Sequence, residues 1–302
     1  MIKNIPTNQD FYKTGRELLD LAWDMIAKLL MNLNEGEYYG VNSDEISEEY
    51  WSRAKRQLTT SLSITQQGIE FLIKGRICQI SPFLLISESP SKWPSPYEGK
   101  PIDFSQFRTI DAQDLVRVHD TFSEQPFDKN FVQKFNELRE IRNIIMHSVG
   151  SSLDIKFNDI IDALLFMHHS LFPDESWANI RKNSLENSPN IELGSGDFVI
   201  NEVCRELSII IDILSPKKVK EYFNIDKKMR PYLCPNCYEN ANHDINYFEY
   251  KLARLISKEP KCDQVYCPVC DKKFHVIRQN CEDEECQGNV ISNEFDMCLT
   301  CG

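Results

Sequence analysis

Nine of the eleven cysteines in this chain of 302 residues follow residue 230, and eight of those nine fall into pairs. Cys234 with Cys237, Cys267 with Cys270, and Cys298 with Cys301 each flank two residues, while Cys281 with Cys286 makes a wider pair. Thiolates are soft ligands, and a two-residue gap lets one tight turn aim both sulfurs at one ion. Eight paired thiolates therefore predict two structural zinc ions, each in a four-cysteine site. Two groupings satisfy the count. Sequential pairing gives Cys234, Cys237, Cys267 and Cys270 to one ion and Cys281, Cys286, Cys298 and Cys301 to the other. A nested arrangement joins the first and last pairs and leaves the middle four together. No carboxylate or water position is implied, so neither metal is expected to be catalytic. Cys262 and His243 are spare ligands expected to stand aside.

A second constellation lies in LREIRNIIMHSVG, Leu138 to Gly150. Arg139, Asn143 and His147 are spaced by four and share a helix face, whereas Arg142 sits about 140° from His147 around an ideal helix. One account is a helix end that satisfies itself. His147, in the last turn before Gly150, would bond a free carbonyl, Asn143 its own backbone, and Arg142 would pair with Glu137, Glu140 or another acidic surface residue. The other account is chemical: an imidazole that titrates near neutrality beside a guanidinium suited to phosphate.

The elements that must position these residues are mostly helical. Near-helical apolar spacing runs through residues 11–31, 47–79, 111–122, 128–147 and 197–213. A further stretch from Ser151 to Phe172 offers Ser151 or Ser152 as a cap and stops before Pro173. Gly75 reads as a weak point in the second of these, and Pro82 ends it. Phe131, Phe135, Leu138, Ile141, Ile144 and Ile145 form the expected buried stripe of the helix carrying Arg142, with Met146 able to extend it. Residues 88–104, rich in Pro, Ser and Gly, predict an ordered loop or insertion whose aromatics cover a core edge, with lining a groove as the other reading. Gln66, Gln67, Glu70 and Lys74, with Arg76 nearby, read as a solvated helix stripe, with a substrate wall as the other reading. KKFHVI after Cys270 predicts a short strand leaving a cysteine knuckle. The expected organisation is a helical domain over 1–175, a helical extension or linker over 176–230, and a zinc-binding domain over 231–302.

The formal charge is −12, which argues against a protein that coats nucleic acid non-specifically, though not against one that meets a single phosphate. Against that background Lys217, Lys218, Lys220, Lys227, Lys228 and Arg230 make a local basic patch. It reads as a solvated linker and helix face, with phosphate contact as the other reading. The N-terminal sequence lacks the apolar run of a signal peptide, and no long apolar stretch occurs anywhere. A cytoplasmic protein without a membrane span is expected, its thiols reduced. There is no glycine-rich phosphate loop and no recognisable serine or cysteine nucleophile frame, so ATP hydrolysis and acyl transfer have no support.

Arg142-Asn143-Ile144-Ile145-Met146-His147, closing a long amphipathic helix with another helix after it, resembles the signature of HEPN domains. The resemblance spans residues 10–175. It implies a mainly α, HEPN-like helical bundle that dimerises so that two motifs share one cleft, and in many such domains a metal-independent endoribonuclease. His147 would then be the general acid or base, Arg142 would stabilise charge on the scissile phosphate, and Asn143 would orient the substrate. RNA brings its own nucleophile, the 2′-hydroxyl, so a 2′,3′-cyclic phosphate and a 5′-hydroxyl are the expected products. A defence or toxin effector, with a possible regulatory protein partner, is the implied setting. Val149 stands where some toxin-like members carry a modifiable tyrosine, which argues against that form of control. Residues 231–302 resemble a double zinc ribbon, of the kind appended to many bacterial proteins. Non-catalytic members set the alternative: a dimeric interaction module whose ribbon docks a protein partner.

Overall fold

A computed structural model describes residues 1–40, 48–95, 100–147, 155–241 and 248–302. The expectations placed on Val149, Gly150, Ser151, Ser152 and His243 lie outside the described residues. Backbone contacts divide the chain into two units, Met1–Ile26 with Ser47–Leu171, and Ala27–Ile46 with Phe172–Gly302. Among the described residues no helix is long and apolar enough to cross a membrane.

The first unit is helical. α1 (Asn8–Tyr38) contributes its first half here, and α2 (Glu48–Ile80) is the central element. The start of α1 is fixed reciprocally: the Thr7 N–H donates to the Asp10 carboxylate at 2.8 Å, and the Asp10 N–H donates to the Thr7 hydroxyl at 3.3 Å. α2 packs against α3 (Ala112–Phe122), α4 (Lys129–His147) and α5 (Phe157–Leu171). A two-strand parallel pair joins β1 (Ile2–Lys3) to β2 (Ile102–Asp103).

Gly75 does not weaken α2, which runs unbroken to Ile80. A Cβ there would lie 2.4 Å from the Tyr12 ring, so the glycine is the gap that lets α1 lie close to α2. Gly15 faces Leu72 in the same way, at 2.5 Å from a built Cβ. The polar stripe is also corrected in part. Gln66 is buried and bonds Glu70, and Arg76 reaches the Leu171 carbonyl; only Gln67 of the stripe is exposed. In the loop after α2, the Trp93 ring meets buried Phe107 edge-on at 5.9 Å, the expected covering role.

In the second unit α6 (Trp177–Glu186) packs on α7 (Val199–Ile213), and α8 (Pro216–Phe223) follows. Arg181 and Glu206 form a buried two-point ion pair between α6 and α7, with Nε–Oε2 2.9 Å and Nη2–Oε1 2.8 Å. The cysteine-rich part has a short α9 (Pro235–Glu239) and an antiparallel sheet of β3 (Arg254–Leu255), β4 (Gln264–Cys267) and β5 (Lys272–His275). β6 (Ile291–Ser292) and β7 (Met297–Cys298) form a second small hairpin. The predicted strand after Cys270 is β5. The hairpins are tied by the Ile277–Ile291 bridge, and the Leu233 N–H donates to the Leu299 carbonyl at 2.8 Å.

Candidate functional site

Each cysteine knuckle is built by local backbone chemistry. Cys234 caps α9, and its sulfur accepts the Cys237 N–H at 3.5 Å. Cys267 ends β4, and Asp271, at φ 53°, turns the chain so that β5 can return beside it. In the second hairpin, Asp296 at φ 44° makes the turn into β7, and the Thr300 N–H donates to the Cys298 sulfur at 3.5 Å. The Gly288 N–H donates to the Cys286 sulfur at 3.3 Å. A Cβ on Gly288 would stand 2.7 Å from the Cys298 sulfur, so this position must be bare.

The sheets decide the grouping that spacing left open. It is sequential: Cys234, Cys237, Cys267 and Cys270 converge in one cluster, and Cys281, Cys286, Cys298 and Cys301 in the other. Within each, the sulfurs all lie within 4.8 Å of one another. A metal at about 2.3 Å from four tetrahedral thiolates sets neighbouring sulfurs about 3.8 Å apart. Cys234–Cys270 is 3.6 Å and Cys237–Cys267 3.8 Å; Cys281–Cys301 is 3.8 Å and Cys286–Cys298 3.9 Å. These are tetrahedron edges, far longer than the roughly 2.05 Å of a disulfide. Both clusters can hold one metal ion each.

The four thiols of the first cluster shift one another's protonation. The hydrogen bond with Cys237 pushes the Cys234 thiol up, one with Cys204 pushes Cys237 up, and burial pushes Cys267 up. Cys270 moves down instead, because Cys234, Cys237 and Cys267 all donate to its thiolate. A divalent ion held by the cluster would favour the thiolate form of all four sulfurs. In the second cluster burial opposes ionisation of Cys298, but the N–H groups of Thr300 and Cys301 and neighbouring thiols bring it to about 7. Burial and a hydrogen bond with Cys286 push Cys301 up. The first cluster is almost wholly buried; in the second, Cys301 is exposed.

Cys262 stands outside both clusters, with its thiol on the Gln264 carbonyl at 3.4 Å. Cys204 was not anticipated. It lies buried on α7, where it helps to push the Cys237 thiol up, so the first cluster feels a helix outside the cysteine-rich segment. A lone cysteine in an apolar helix carries no spacing signal that would have revealed this.

The arginine–histidine motif ends α4. Asp128 caps the start of that helix, accepting the Asn130 and Phe131 N–H groups at 2.8 and 2.9 Å. Phe131, Phe135 and Leu138 are buried as expected, but the stripe stops there. Ile141 and Ile145 are only half-buried, Ile144 is 42% exposed and Met146 58%. Periodicity specifies an apolar face but not how far its neighbours cover it, and over the last turns of α4 the cover is partial. Asn143 and His147 are exposed and Arg142 half-buried. The Arg142 guanidinium donates weakly to the Asn143 side chain at 3.4 Å. Among the described residues Arg142 has no ion pair with Glu137 or Glu140, and His147 has no hydrogen-bond partner. Compared with known proteins, the chain matches no family model, no curated protein and no solved structure.

Proposed function

We propose that the chain is a metal-independent endoribonuclease of the HEPN type, active as a homodimer through its helical domain, with a double zinc-ribbon module at its C-terminal end. One observation carries the reading: Arg142, Asn143 and His147 close one helix with their polar groups uncommitted to other described side chains. A cation and an imidazole left free for a substrate are what phosphodiester cleavage needs. His147 moves protons to or from the 2′-hydroxyl and the leaving 5′-oxygen, Arg142 offsets the charge that builds on phosphorus, and Asn143 orients the strand. The two zinc ions stabilise the cysteine-rich fold and take no part in the cleavage.

The test is cleavage of mixed RNA by zinc-loaded protein with EDTA present during the reaction, beside His147→Ala. Fragments ending in 2′,3′-cyclic phosphate and 5′-hydroxyl, absent with the variant, are expected. A wild-type protein that leaves all RNA intact, alone and with candidate activators, would return the function to a non-catalytic module. That second reading is favoured by the exposed acidic run Glu282–Glu285, a feature suited to a basic protein partner rather than to phosphate.

A further inference from the structure

The basic patch around α8 does not behave as one solvated face. Lys227 is spent on the carbonyls of Asp212 and Leu214, at 2.6 and 3.2 Å, where it caps the end of α7. Arg230 lies over the Tyr232 ring at 5.8 Å. Lys220, however, lines a pocket of about 320 Å³ whose wall also includes Arg254 from β3 and Lys273 from β5. Residues far apart in sequence thus bring three cations to one concavity of the second unit.

Arg254 is the built part of this site. It is only 7% exposed, an unusual place for a guanidinium without a carboxylate bonded to it. Its Nη1 donates to the carbonyls of Lys251 and Ala253, both at 2.9 Å, which fixes the side chain against its own strand. Nε is buried without a partner, and Nη2 makes no hydrogen bond among the described residues. Burial lowers the arginine's pKa, while Asp212 and Asp226 act in the opposite direction. The one carboxylate on the pocket wall, Asp226, is already engaged: it accepts the Lys228 N–H at 2.9 Å and pairs with Lys258 at 3.1 Å. Lys220 rests on the Asn224 side chain at 3.3 Å, a neutral partner. The concavity is therefore locally positive in a chain of charge −12.

Its remaining wall narrows the ligand. Ile225, Met229, Leu255 and the Tyr266 ring supply an apolar side, and the volume exceeds what a bare phosphate or a small carboxylate would fill. A flat base beside a phosphate fits that division. We propose that this pocket binds a nucleotide, free or within single-stranded RNA, with Arg254, Lys220 and Lys273 on its phosphate and Met229 and Tyr266 against its base. The site stands independently of the cleavage reading.

The experiment uses full-length, zinc-loaded protein carrying His147→Ala, so that the probe is not consumed. Binding of a fluorescent octauridylate is followed by anisotropy across salt, and uridine and UMP are added as competitors. Lys220→Glu with Lys273→Glu should weaken binding at least about tenfold and flatten the log–log salt slope by about 1.4, the share of two phosphate contacts on a single strand. Arg254→Gln should weaken it similarly. Should Arg254→Gln lose zinc, the two exposed lysines carry the test alone. Competition by UMP but not uridine assigns the pocket to free nucleotides; binding of the oligomer without UMP competition assigns it to a phosphate within a chain. Unchanged affinity and slope in the zinc-replete lysine variant, or equal competition by uridine and UMP, overturns the proposal. RNA cleavage by wild-type protein is scored separately: binding without cleavage leaves the pocket standing, and cleavage without pocket-dependent binding removes the pocket alone.

Discussion

Replacing an exposed, unpartnered side chain separates chemistry from stability. His147→Ala should change unfolding free energy by no more than about 0.5 kcal/mol, because nothing described is bonded to that imidazole. Its cleavage rate should fall about 100-fold or more, the usual worth of a general acid or base. Urea unfolding run beside RNA cleavage decides: equal losses of stability and activity would make His147 structural. Arg142→Lys keeps the charge but loses the two-pronged fork, and should retain more activity than Arg142→Ala while falling short of wild type. The opposite logic applies to Gly288, where the smallest possible side chain is demanded. In Gly288→Ala the new Cβ meets the Cys298 sulfur at 2.7 Å, inside van der Waals contact. Purified wild-type protein should carry close to two zinc ions per chain and this variant close to one, by metal analysis under reducing conditions. Loss of both ions would show that the two cages do not load separately.

At the scale of elements, the glycines of α2 and the ion pair of α6 and α7 bear the sharpest tests. An alanine in a helix is worth about 1 kcal/mol over glycine, yet the Tyr12 ring stands 2.4 Å from a Cβ at Gly75. Overpacking wins, and Gly75→Ala should destabilise by about 1–2 kcal/mol, while Gln67→Ala on the exposed side of the same helix stays near neutral. A stabilised Gly75→Ala, measured by urea midpoint, would mean that the α1–α2 contact is looser than described. Arg181→Ala removes the two-point partner of a carboxylate that is 1% exposed and should cost about 3–5 kcal/mol, whereas Arg181→Met with Glu206→Leu should cost less. The sequence made these helices legible, because an apolar period repeats within each one. It did not make the glycine or the ion pair legible. Gly75 looks like a flaw until Tyr12 is placed beside it, and Arg181 and Glu206 look like surface charges until α6 lies on α7. The same division holds at the sites. The candidate ligands were readable from short gaps between cysteines, but the grouping waited on the sheet that brings Cys267 back to Cys234. Lys220 was visible as part of a basic run, and Arg254, alone among apolar neighbours, was not.

For the molecule as a whole, the proposed cleavage asks more of the site than one motif supplies. One chain offers one Arg142 and one His147, while cleavage involves two proton transfers and the charge of a phosphorane. The last turns of α4 also present Ile144 and Met146 to solvent, 42% and 58% exposed, on the same turns as the motif. Ile144 lies three residues from His147, and Met146 four from Arg142, so each apolar side chain flanks one functional one. A second copy laid across this helix end would bury both and bring the two motifs together in one isologous contact. Sedimentation should therefore show a dimer, and cleavage per chain should fall as dilution splits it. Met146→Asp should shift the protein towards monomer and reduce cleavage in parallel, with zinc content unchanged, since the cages lie in the other unit. Arg142→Ala and His147→Ala chains should still associate. Mixing them should leave activity well below wild type, because each shared site would lack one group. A chain that sediments as a monomer and cleaves RNA undiminished at the lowest measurable concentration would sink the shared site, even with His147 proven essential.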